Sequence, residues 1–562
     1  MAQVIGIDTG GTYTDAVLLD TDVSGMKKIV GKAKAFTTHE RLEEGIAMSL
    51  EKLRETVYGP GNKKRFEKID KVVLSTTLAT NAIVENKLHE IGLIIVGDEP
   101  KGEIATRYIE KVPGRINIKG RVLVNVNRKA VEEAVERLLP DVKAIAVSGA
   151  ASVRNPAQEH EVRDIVCEKC SLPVMCGSEF VHELGYLERT NTVVINAGLL
   201  PIINRFLEAI GNVLRDMNID APVFVVKGDG SMVSEEFIKK RPIETALSGP
   251  AASMIGTINL TGVENAIVAD MGGTTTDTGV VRGKRVELSQ EGAEVGGWRL
   301  KIKSAKLYTF GLGGDSMVHF EKGTIKIGPR RTLPACRGGE YGITPTDIAH
   351  YTGEFIKWDR TLAETAIKKY AAELCMEPDV FVKAVEDAIS DKIFSRNIEH
   401  YRSTGYPVCA IGAPADTWYN KTRKKYKFDL IIPENYEVAS AVGAAEAGIQ
   451  KIAEAIVRPG EEGRGFLVHS ELGRYFFKKK HEAVEKACLL SKEYAERYIR
   501  NQDMELDQIE IECLDIYTDG DRLIYINTGS MPVGDKKPEG GDHLGKFVET
   551  RVKVSASGKN FI

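Results

Sequence analysis

Short apolar runs that alternate with amphipathic stretches make up most of the first 455 residues. The apolar runs predict strands near residues 3–8, 15–20, 28–36, 71–74, 91–96, 144–147 and 222–226. Helical spacing of the apolar positions predicts helices over about 40–57, 156–169 and 190–215. The later part repeats the plan, with strands from 267 to about 327, helices over about 360–395 and a strand at 408–411. Strands that alternate with helices predict two α/β lobes.

The pattern changes after Pro459-Gly460. The sequence there predicts an amphipathic helix over 481–500 and strands at 509–513, 523–526 and 546–554, with a turn at Asp519-Gly520. We therefore predict a first lobe with an inserted helical segment over 1–220 and a second lobe over 221–455. A small α+β appendage is predicted over 460–562, and the sequence does not indicate its role.

Composition narrows the class of protein. The chain has 562 residues, of which 43 % are hydrophobic and 28 % charged, with a formal net charge of −4. These values exclude a fibrous or largely disordered protein, and the near-neutral charge predicts no binding to nucleic acid or anionic lipid. No apolar run reaches the roughly 18 residues of a membrane span, and a strand follows Met1-Ala2 without a signal peptide. We therefore expect a cytoplasmic protein that does not enter a membrane.

Three of the eight cysteines cluster, in the segment Cys167-Glu-Lys-Cys170 and at Cys176. The CxxC spacing is compatible with a metal or iron–sulfur site, but a fourth ligand and a second CxxC are missing. The alternative is that Cys167 and Cys170 lie at a helix end and Cys176 in the following strand. The histidines are dispersed along the chain without metal-ligand spacing, and none is assigned a catalytic role.

An internal repeat carries the strongest chemical signal. Residues 5–15 read IGIDTGGTYTD and residues 267–277 read IVADMGGTTTD, with seven identities in eleven positions. Each segment lies between two short apolar runs, so both predict a β-hairpin whose turn carries the glycines and threonines. One interpretation is a tight turn with no ligand. The other is a phosphate site, because paired glycines let backbone N–H groups approach an anion and a strand-end aspartate can hold a metal.

Six segments together resemble the A-type, ATP-binding subunits of the hydantoinase/oxoprolinase family, within the superfamily of actin, sugar kinases and heat-shock chaperone ATPases. They are IGIDTGGTYTD (5–15), STTLATNAIVE (75–85), LSGPAAS (247–253), ADMGGTTTD (269–277), TFGLGGDS (309–316) and PENYEVASAVGAA (433–445). The resemblance implies two actin-like lobes around a nucleotide cleft, with ATP and Mg²⁺ as cofactors. It also implies ATP-dependent phosphorylation of a small carbonyl or cyclic amide substrate, as in hydantoinases, 5-oxoprolinases and ketone carboxylases.

The resemblance also implies roles for individual residues. Asp8 and Asp270 match the catalytic aspartates that position the metal. The residues expected to bind the nucleotide are Gly10, Gly11, Thr12, Thr14, Gly272, Gly273, Thr274, Thr275, Gly412 and Gly443. The residues expected to face the substrate are Thr76, Thr77, Thr80 and Asn81, for which an ordinary helix N-cap is the alternative. Nothing in the sequence singles out a group that polarises the acceptor.

Partners and alternatives follow from the same resemblance. A separate B-type subunit or partner enzyme is expected to complete the chemistry, and self-association is left open. An ATP-driven activator or reactivase of a partner enzyme is the alternative function, because one fold serves both classes. A plain sugar or small-acid kinase fits the loops but not the segments at 75–85 and 247–253. Asp315 departs from the family pattern, where glycine is usual, and adds a charge beside a glycine turn.

Overall fold

The computed structural model describes residues 2–21, 27–38, 41–62, 66, 68–118, 120–180, 185–399, 402–460, 464–501, 505–519, 522–529 and 546–559. The chain divides into two compact units. The first comprises Met1–Gly230 and Ser234–Ala447, and the second comprises Ser231–Val233 and Gly448–Ile562. The predicted division of the first unit into lobes near residue 220 stays a prediction.

The described strands, in chain order, are β1 (Ala2–Thr9), β2 (Tyr13–Thr21), β3 (Lys27–Phe36), β4 (Lys71–Thr76), β5 (Ile91–Val96), β6 (Tyr108–Val112), β7 (Arg115–Ile116), β8 (Val122–Val124), β9 (Ala144–Gly149), β10 (Val174–Cys176), β11 (Val223–Val226), β12 (Met232–Ser234), β13 (Ala266–Met271), β14 (Thr276–Arg282), β15 (Arg285–Val286), β16 (Ala293–Val295), β17 (Trp298–Leu300), β18 (Leu307–Phe310), β19 (Ser316–Glu321), β20 (Thr324–Arg331), β21 (Val408–Ile411), β22 (Leu430–Ile431), β23 (Ile449–Pro459), β24 (Phe466–Ser470), β25 (Gly473–Phe477), β26 (Glu505–Asp519), β27 (Arg522–Gly529) and β28 (Lys546–Lys559). The described α-helices are α1 (Leu42–Tyr58), α2 (Leu78–Val84), α3 (Arg128–Leu138), α4 (Ala157–Lys169), α5 (Tyr186–Asp216), α6 (Glu235–Ile238), α7 (Ser248–Thr261), α8 (Pro345–Thr352), α9 (Arg360–Glu373), α10 (Pro378–Ile393), α11 (Ala415–Tyr426), α12 (Ala439–Glu446) and α13 (Lys480–Arg500).

Two sheets in the first unit share one plan, and they confirm the α/β class. In the first sheet β1 pairs antiparallel with β2 and parallel with β4, so that Asp8 lies opposite both Asp15 and Ser75. In the second sheet β13 pairs antiparallel with β14 and parallel with β21, and Asp270 lies opposite Asp277. The two predicted hairpins are therefore confirmed. Both place an aspartate at the end of a buried inner strand.

A third, parallel sheet has the order β10-β9-β5-β6, and of its strands only β10 lies within residues 155–220, where helical patterns predominate in the sequence. Helix α5 packs on it, and Val193, Val194 and Ala197 share a core cluster with Ile91 and Leu93 of β5. By length and composition alone α5 could cross a membrane, and 67 % of its most apolar 18-residue window is buried within the fold. The expectation that no segment is long and apolar enough for a span is therefore wrong. Buried core helices of soluble proteins pass the same test.

The second unit is a six-stranded antiparallel sheet, β25-β24-β23-β28-β26-β27, that packs against α13. The predicted helix and strands are present, but β26 is longer than expected and pairs residues 515–518 with residues 523–526. Strand β23, which the sequence-based boundaries place partly in the second lobe, belongs to this sheet. Gly520, part of the predicted turn, lies outside the described residues.

Candidate functional site

The two repeated loops close in the same way. The N–H of Gly10 donates to the carbonyl of Tyr13 over 3.0 Å, and the N–H of Gly272 donates to the carbonyl of Thr275 over 2.9 Å. In each loop this bond closes the turn, so that the two residues after the first glycine lie at the tip of the hairpin. The sequence repeat is therefore also a repeat of backbone geometry.

The loops lie side by side within the first unit. A Cβ atom on Gly273 would lie 3.0 Å from Oγ1 of Thr12 and 3.2 Å from a carboxylate oxygen of Asp315. Gly11 is exposed, whereas Gly10, Thr12, Gly272, Gly273, Thr274 and Thr275 are half-buried. Among the described residues, the N–H groups of Gly11, Thr12, Gly273 and Thr274 have no hydrogen-bond acceptor. Unpaired backbone N–H groups in glycine turns are the donors that anion-binding concavities use.

Thr14 and Thr276, the second residue after each loop tip, are buried and support the loops. Oγ1 of Thr14 lies 3.1 Å from Oγ1 of Thr37, which donates to the carbonyl of Gly10 over 2.9 Å. Thr276 donates to the carbonyl of Leu312 over 2.7 Å. These hydroxyls brace the turns, and a direct nucleotide contact for Thr14 stays a prediction.

The aspartates of the first hairpin are buried. Asp8 is 8 % exposed, and burial, followed by repulsion from Asp15, raises its pKa to about 7. Oδ1 of Asp8 has no hydrogen-bond partner among the described residues. Asp15 accepts a hydrogen bond of 2.6 Å from Nζ of Lys34, yet burial still raises its pKa. In the first hairpin the carboxylates of Asp8 and Asp15 therefore both lie near Lys34.

The second hairpin adds two further carboxyl groups. Burial raises the pKa of Asp270 and raises that of Asp277 to about 6. Asp270 accepts a hydrogen bond of 2.5 Å from the hydroxyl of Ser253, and Asp277 accepts one of 2.5 Å from Thr309. Repulsion from Asp270 also contributes to the raised pKa of Asp8.

Helix α7 joins the two aspartates. Near its N-terminus, a Cβ atom on Gly249 would lie 4.0 Å from Oδ1 of Asp8, and one turn later Ser253 binds Asp270. Leu247, just before the helix, adopts φ +63, a left-handed conformation that costs a branched side chain energy. The positive end of the α7 dipole therefore faces the unpaired oxygen of Asp8.

The threonine-rich segment lies beside the same helix. Ser248 donates to the carbonyl of Thr76 over 2.9 Å, and Oγ1 of Thr80 accepts the N–H of Leu247 over 3.0 Å. Thr77 donates to the carbonyl of Thr9, and the amide of Asn81 donates to the hydroxyl of Thr77. Thr76 and Thr80 thus fix the turn before α7. The substrate contacts predicted for all four residues stay predictions.

Gly412 and Gly443 occupy different environments. Gly412 has φ +88, and a Cβ atom there would lie 2.3 Å from the carbonyl oxygen of Met271 and 2.8 Å from Oδ1 of Asp270. Gly443 is buried where α12 crosses α7, and its Cβ atom would lie 1.7 Å from the carbonyl oxygen of Ala252. Helix packing accounts for the glycine at 443, and its predicted contact with a nucleotide stays a prediction.

Lys34 and Arg337 are site residues that no sequence motif identifies. Lys34 lies opposite Asp15 in the sheet, and its positive charge partly offsets the burial that raises the pKa of Asp8 and of Asp270. Nη1 of Arg337 lies 3.9 Å from Asp315, whose pKa burial raises to about 6. The cross-strand position of Lys34, opposite a loop aspartate, is the one signal that the sequence offers for it.

The cysteine cluster does not form a metal site in the part of the chain that the structure describes. No group of three or more His, Cys, Asp or Glu side chains there is placed to hold a metal ion. Cys167 is exposed within α4, Cys170 caps that helix and Cys176 is buried in β10. The helix-end interpretation is confirmed.

Comparison with protein families now identifies the chain. The hydantoinase/oxoprolinase N-terminal region model matches residues 4–170, and the hydantoinase/oxoprolinase model matches residues 189–453. The chain belongs to the hydantoinase/oxoprolinase family. Both glycine loops, the threonine-rich segment and α7 lie within the matched residues.

Curated relatives match about two thirds of the chain. The caprolactamase subunit alpha of Pseudomonas jessenii is 27 % identical over 384 residues, which cover 61 % of this chain and 53 % of the relative. The acetophenone carboxylase gamma subunit of Aromatoleum aromaticum is 26 % identical over 66 % of this chain and 57 % of its own length. The chain therefore spans somewhat more than half the length of these relatives.

Solved structures share the fold over nearly the whole chain. ATP-dependent caprolactamase from Pseudomonas jessenii superposes with a TM-score of 0.75 at 21 % identity, covering 99 % of this chain and 87 % of its own. Nucleotide-free acetone carboxylase superposes with a TM-score of 0.73 at 18 % identity, covering 99 % and 88 %. Residues that follow the matched family region thus also have counterparts in these folds.

Proposed function

We propose that this chain is the ATP-binding subunit of an enzyme that phosphorylates a small amide or carbonyl substrate. The observation that carries the proposal is the pair of adjacent glycine loops, whose unpaired N–H groups would bind the phosphates near two strand-end aspartates. We further propose that the two similar sheets of the first unit are actin-like lobes that hold the nucleotide between them. Gly412 would lie next to the nucleotide because it adjoins Asp270.

The carboxylates fit a magnesium ion that enters with ATP. Mg²⁺ is usually held by one or two carboxylates together with phosphate oxygens and water, which Asp8 and Asp270 can provide. The buried Oδ1 of Asp8 has no partner among the described residues, and burial raises the pKa of both aspartates. A bound divalent cation would neutralise this excess negative charge and the charge of the phosphates.

The other residues would orient the reactants. Phosphoryl transfer needs positioning and charge neutralisation more than covalent chemistry from the protein. The loop N–H groups would bind the phosphates, and Lys34 would stabilise the charge that develops on the transferred group. Thr77, which lies beside Gly249, and Asn81, whose amide donates to Thr77, would face the acceptor.

The relatives support both the reaction class and the need for a partner. Their names describe ATP-dependent caprolactamase, acetone and acetophenone carboxylases and 5-oxoprolinase, which act on cyclic amides or ketones. Several are designated as subunits of larger enzymes. We therefore propose that a separate subunit uses the phosphorylated product.

Phosphate release from Mg-ATP tests the proposal directly. The purified chain is incubated with 5-oxoproline, hydantoins, lactams, ketones with hydrogencarbonate, or simple carboxylates, and nucleotide binding is measured by calorimetry. Stimulation by one class identifies the acceptor. Absence of Mg-nucleotide binding contradicts the proposal, and binding with slow hydrolysis that no small molecule stimulates favours an ATPase driven by a partner protein.

A further inference from the structure

A cluster of aromatic and cationic side chains lies beside the first glycine loop. The ring of Tyr13, the residue after Thr12, stacks on the ring of Phe36 with 4.9 Å between centroids. Nζ of Lys34 lies 5.1 Å from the centre of the Tyr13 ring, and Nζ of Lys357 lies 5.5 Å from it. Two ammonium groups therefore approach one ring at the edge of the proposed phosphate site.

Arg337 and Trp358 extend this cluster. The guanidinium carbon of Arg337 lies 4.9 Å from the centre of the Phe36 ring and 5.3 Å from that of Trp358. Lys357 also lies 5.4 Å from the Trp358 ring. We call these six residues the Tyr13 cluster: Tyr13, Lys34, Phe36, Arg337, Lys357 and Trp358.

The cluster carries an uncompensated positive charge. Lys34 pairs with Asp15, and Arg337 lies 3.9 Å from Asp315. Lys357 has no carboxylate within 4.0 Å among the described residues, and its side chain is exposed. An anion could therefore reach the Lys357 ammonium without breaking an existing ion pair.

A second donor in the cluster lacks an acceptor. The hydroxyl of Tyr13 is buried and has no hydrogen-bond partner among the described residues. Burial raises the pKa of Tyr13 to about 12, so the hydroxyl keeps its proton at neutral pH. An unpaired buried donor costs free energy that an oxyanion would recover.

His350 fixes the segment that carries Lys357. Its Nε2 accepts the N–H groups of Lys357 and Trp358 over 3.2 and 3.1 Å, so the proton lies on Nδ1, which donates to the carbonyl of Thr346 over 2.8 Å. The buried His350 ring also stacks on Trp358. His350 is thus a positioning residue for the cluster.

The Tyr13 cluster and the threonine-rich segment both contact the turn of the first glycine loop. Thr77 binds the carbonyl of Thr9, and the next residue, Gly10, binds the carbonyl of Tyr13. An acceptor held between them would lie beside the loop that we assign to the phosphates.

We propose that Lys357 and the Tyr13 hydroxyl bind a planar oxyanion of the acceptor, with Phe36 and Trp358 as its apolar walls. The inference rests on the proposed function and makes it more specific. The oxyanion is either a carboxylate carried by the substrate or hydrogencarbonate that enters as a co-substrate, and both offer oxygens to an ammonium and a hydroxyl.

Competitive labelling tests this inference independently of turnover. The whole chain with bound Mg-ADP is treated with acetic anhydride, and acetylation of Lys357 is measured by mass spectrometry with and without each probe. The probes are 5-oxoproline, its analogue 2-pyrrolidinone, which lacks the carboxylate, and hydrogencarbonate. We expect 5-oxoproline or hydrogencarbonate to slow acetylation of Lys357 at least threefold. The control is Lys368, an exposed lysine on α9, whose labelling should not change.

The outcomes separate the two proposals. Protection by 5-oxoproline alone identifies a carboxylate-bearing substrate, and protection by hydrogencarbonate alone identifies a co-substrate. If the chain binds Mg-ADP but neither oxyanion protects Lys357, or 2-pyrrolidinone protects as well as 5-oxoproline, the inference is overturned while the proposed function stands. If Mg-ADP does not bind, the result contradicts the proposed function, and the inference that rests on it falls with it.

Variants provide a second readout. Lys357→Met and Tyr13→Phe should each raise the KM for a stimulating oxyanion at least tenfold, whereas Lys368→Met should leave it unchanged. His350→Ala should abolish the protection of Lys357, and His350→Gln, which retains an acceptor, should restore part of it. Unchanged KM values in both Lys357→Met and Tyr13→Phe would also overturn the inference.

Discussion

The hydroxyl of Ser253 donates a hydrogen bond of 2.5 Å to Oδ2 of Asp270. Ser253 belongs to α7, whose first turn lies beside Asp8, so one rigid helix fixes the spacing between the aspartates of the two loops. Ser253 also lies 3.0 Å from Ser440 of α12. The aspartate of the second loop is therefore held from a part of the chain that the sequence repeat does not include.

Ser253→Ala should shift the pH dependence of turnover. The hydrogen bond stabilises the ionised form of Asp270, so its loss should raise the pKa of that carboxyl group. The acidic limb of the pH–rate profile should then move to higher pH. We expect a loss of about tenfold in kcat at pH 6.5, equivalent to about 1.4 kcal/mol, and a smaller loss at pH 8.5. A uniform loss at all pH values would argue against this role.

Asp270→Asn should separate nucleotide binding from turnover. The amide retains the shape of the carboxyl group but cannot neutralise a cation. We expect nearly normal nucleotide affinity by calorimetry and at least a hundredfold lower phosphate release, about 3 kcal/mol of barrier. Asp387→Asn, on an exposed part of α10, is the matched control. Near-normal turnover in Asp270→Asn would remove this residue from the catalytic set.

Asp8→Asn should stabilise the nucleotide-free protein at alkaline pH. Burial raises the pKa of Asp8 from 3.8 to about 7, so the folded state favours the protonated form. The stability that this preference contributes is fully present below the unfolded-state pKa and is lost as the pH rises through 7. Asn resembles the protonated form, so the variant should gain at most about 4 kcal/mol at pH 8.

Thermal unfolding at two pH values measures this effect. pH 5 lies between the unfolded-state and the folded-state pKa of Asp8, so Asp8→Asn should raise Tm there by less than half of the increase at pH 8. At pH 8 its Tm should exceed that of the wild type by several degrees. Equal differences at both pH values would show that the carboxyl charge is not the cause.

Gly412→Ala should displace Asp270. Any Cβ atom at this position, with φ +88, would lie 2.8 Å from Oδ1 of that carboxylate and 2.3 Å from the carbonyl oxygen of Met271. Gly262, at φ +69, has no atom within 4 Å of its Cβ position, so Gly262→Ala imposes the backbone strain without the collision. We expect the first variant to lose at least tenfold more activity than the second, measured as phosphate release. Equal losses would assign the effect to backbone strain alone.

Much of the site could be predicted from local sequence. Glycines and polar residues between two apolar runs specify a hairpin. Glycine has no Cβ atom and can therefore adopt the backbone angles of a tight turn, and the apolar runs on either side form strands with a buried face. The loops around Gly10 and Gly272 accordingly formed as expected, with matching closing hydrogen bonds. The sequence pattern predicts the helix over 190–215 but understates its apolar length, because a buried helix tolerates scattered polar residues such as Asn196.

Other site residues could not be found this way because their positions depend on packing between distant segments. Lys34 becomes a site residue through sheet register, and Arg337 and Lys357 through the segment between β20 and β21. Gly443 resembles a ligand-binding glycine in sequence, but its close approach to Ala252 is a helix crossing.

The amino-acid sequence by itself determined the two phosphate-type hairpins, the α/β class and the family, because each depends on short segments whose local chemistry is specific. Only the tertiary structure decided that Thr12 faces Gly273, that α7 joins Asp8 to Asp270, and that Tyr13 and Lys357 meet beside the first loop. Three of these contacts, Thr12 with Gly273, Asp8 with Gly249 and Tyr13 with Lys357, join residues that are far apart in the sequence. Their geometry is set by how sheets and helices pack, a property of the whole fold that no local pattern encodes.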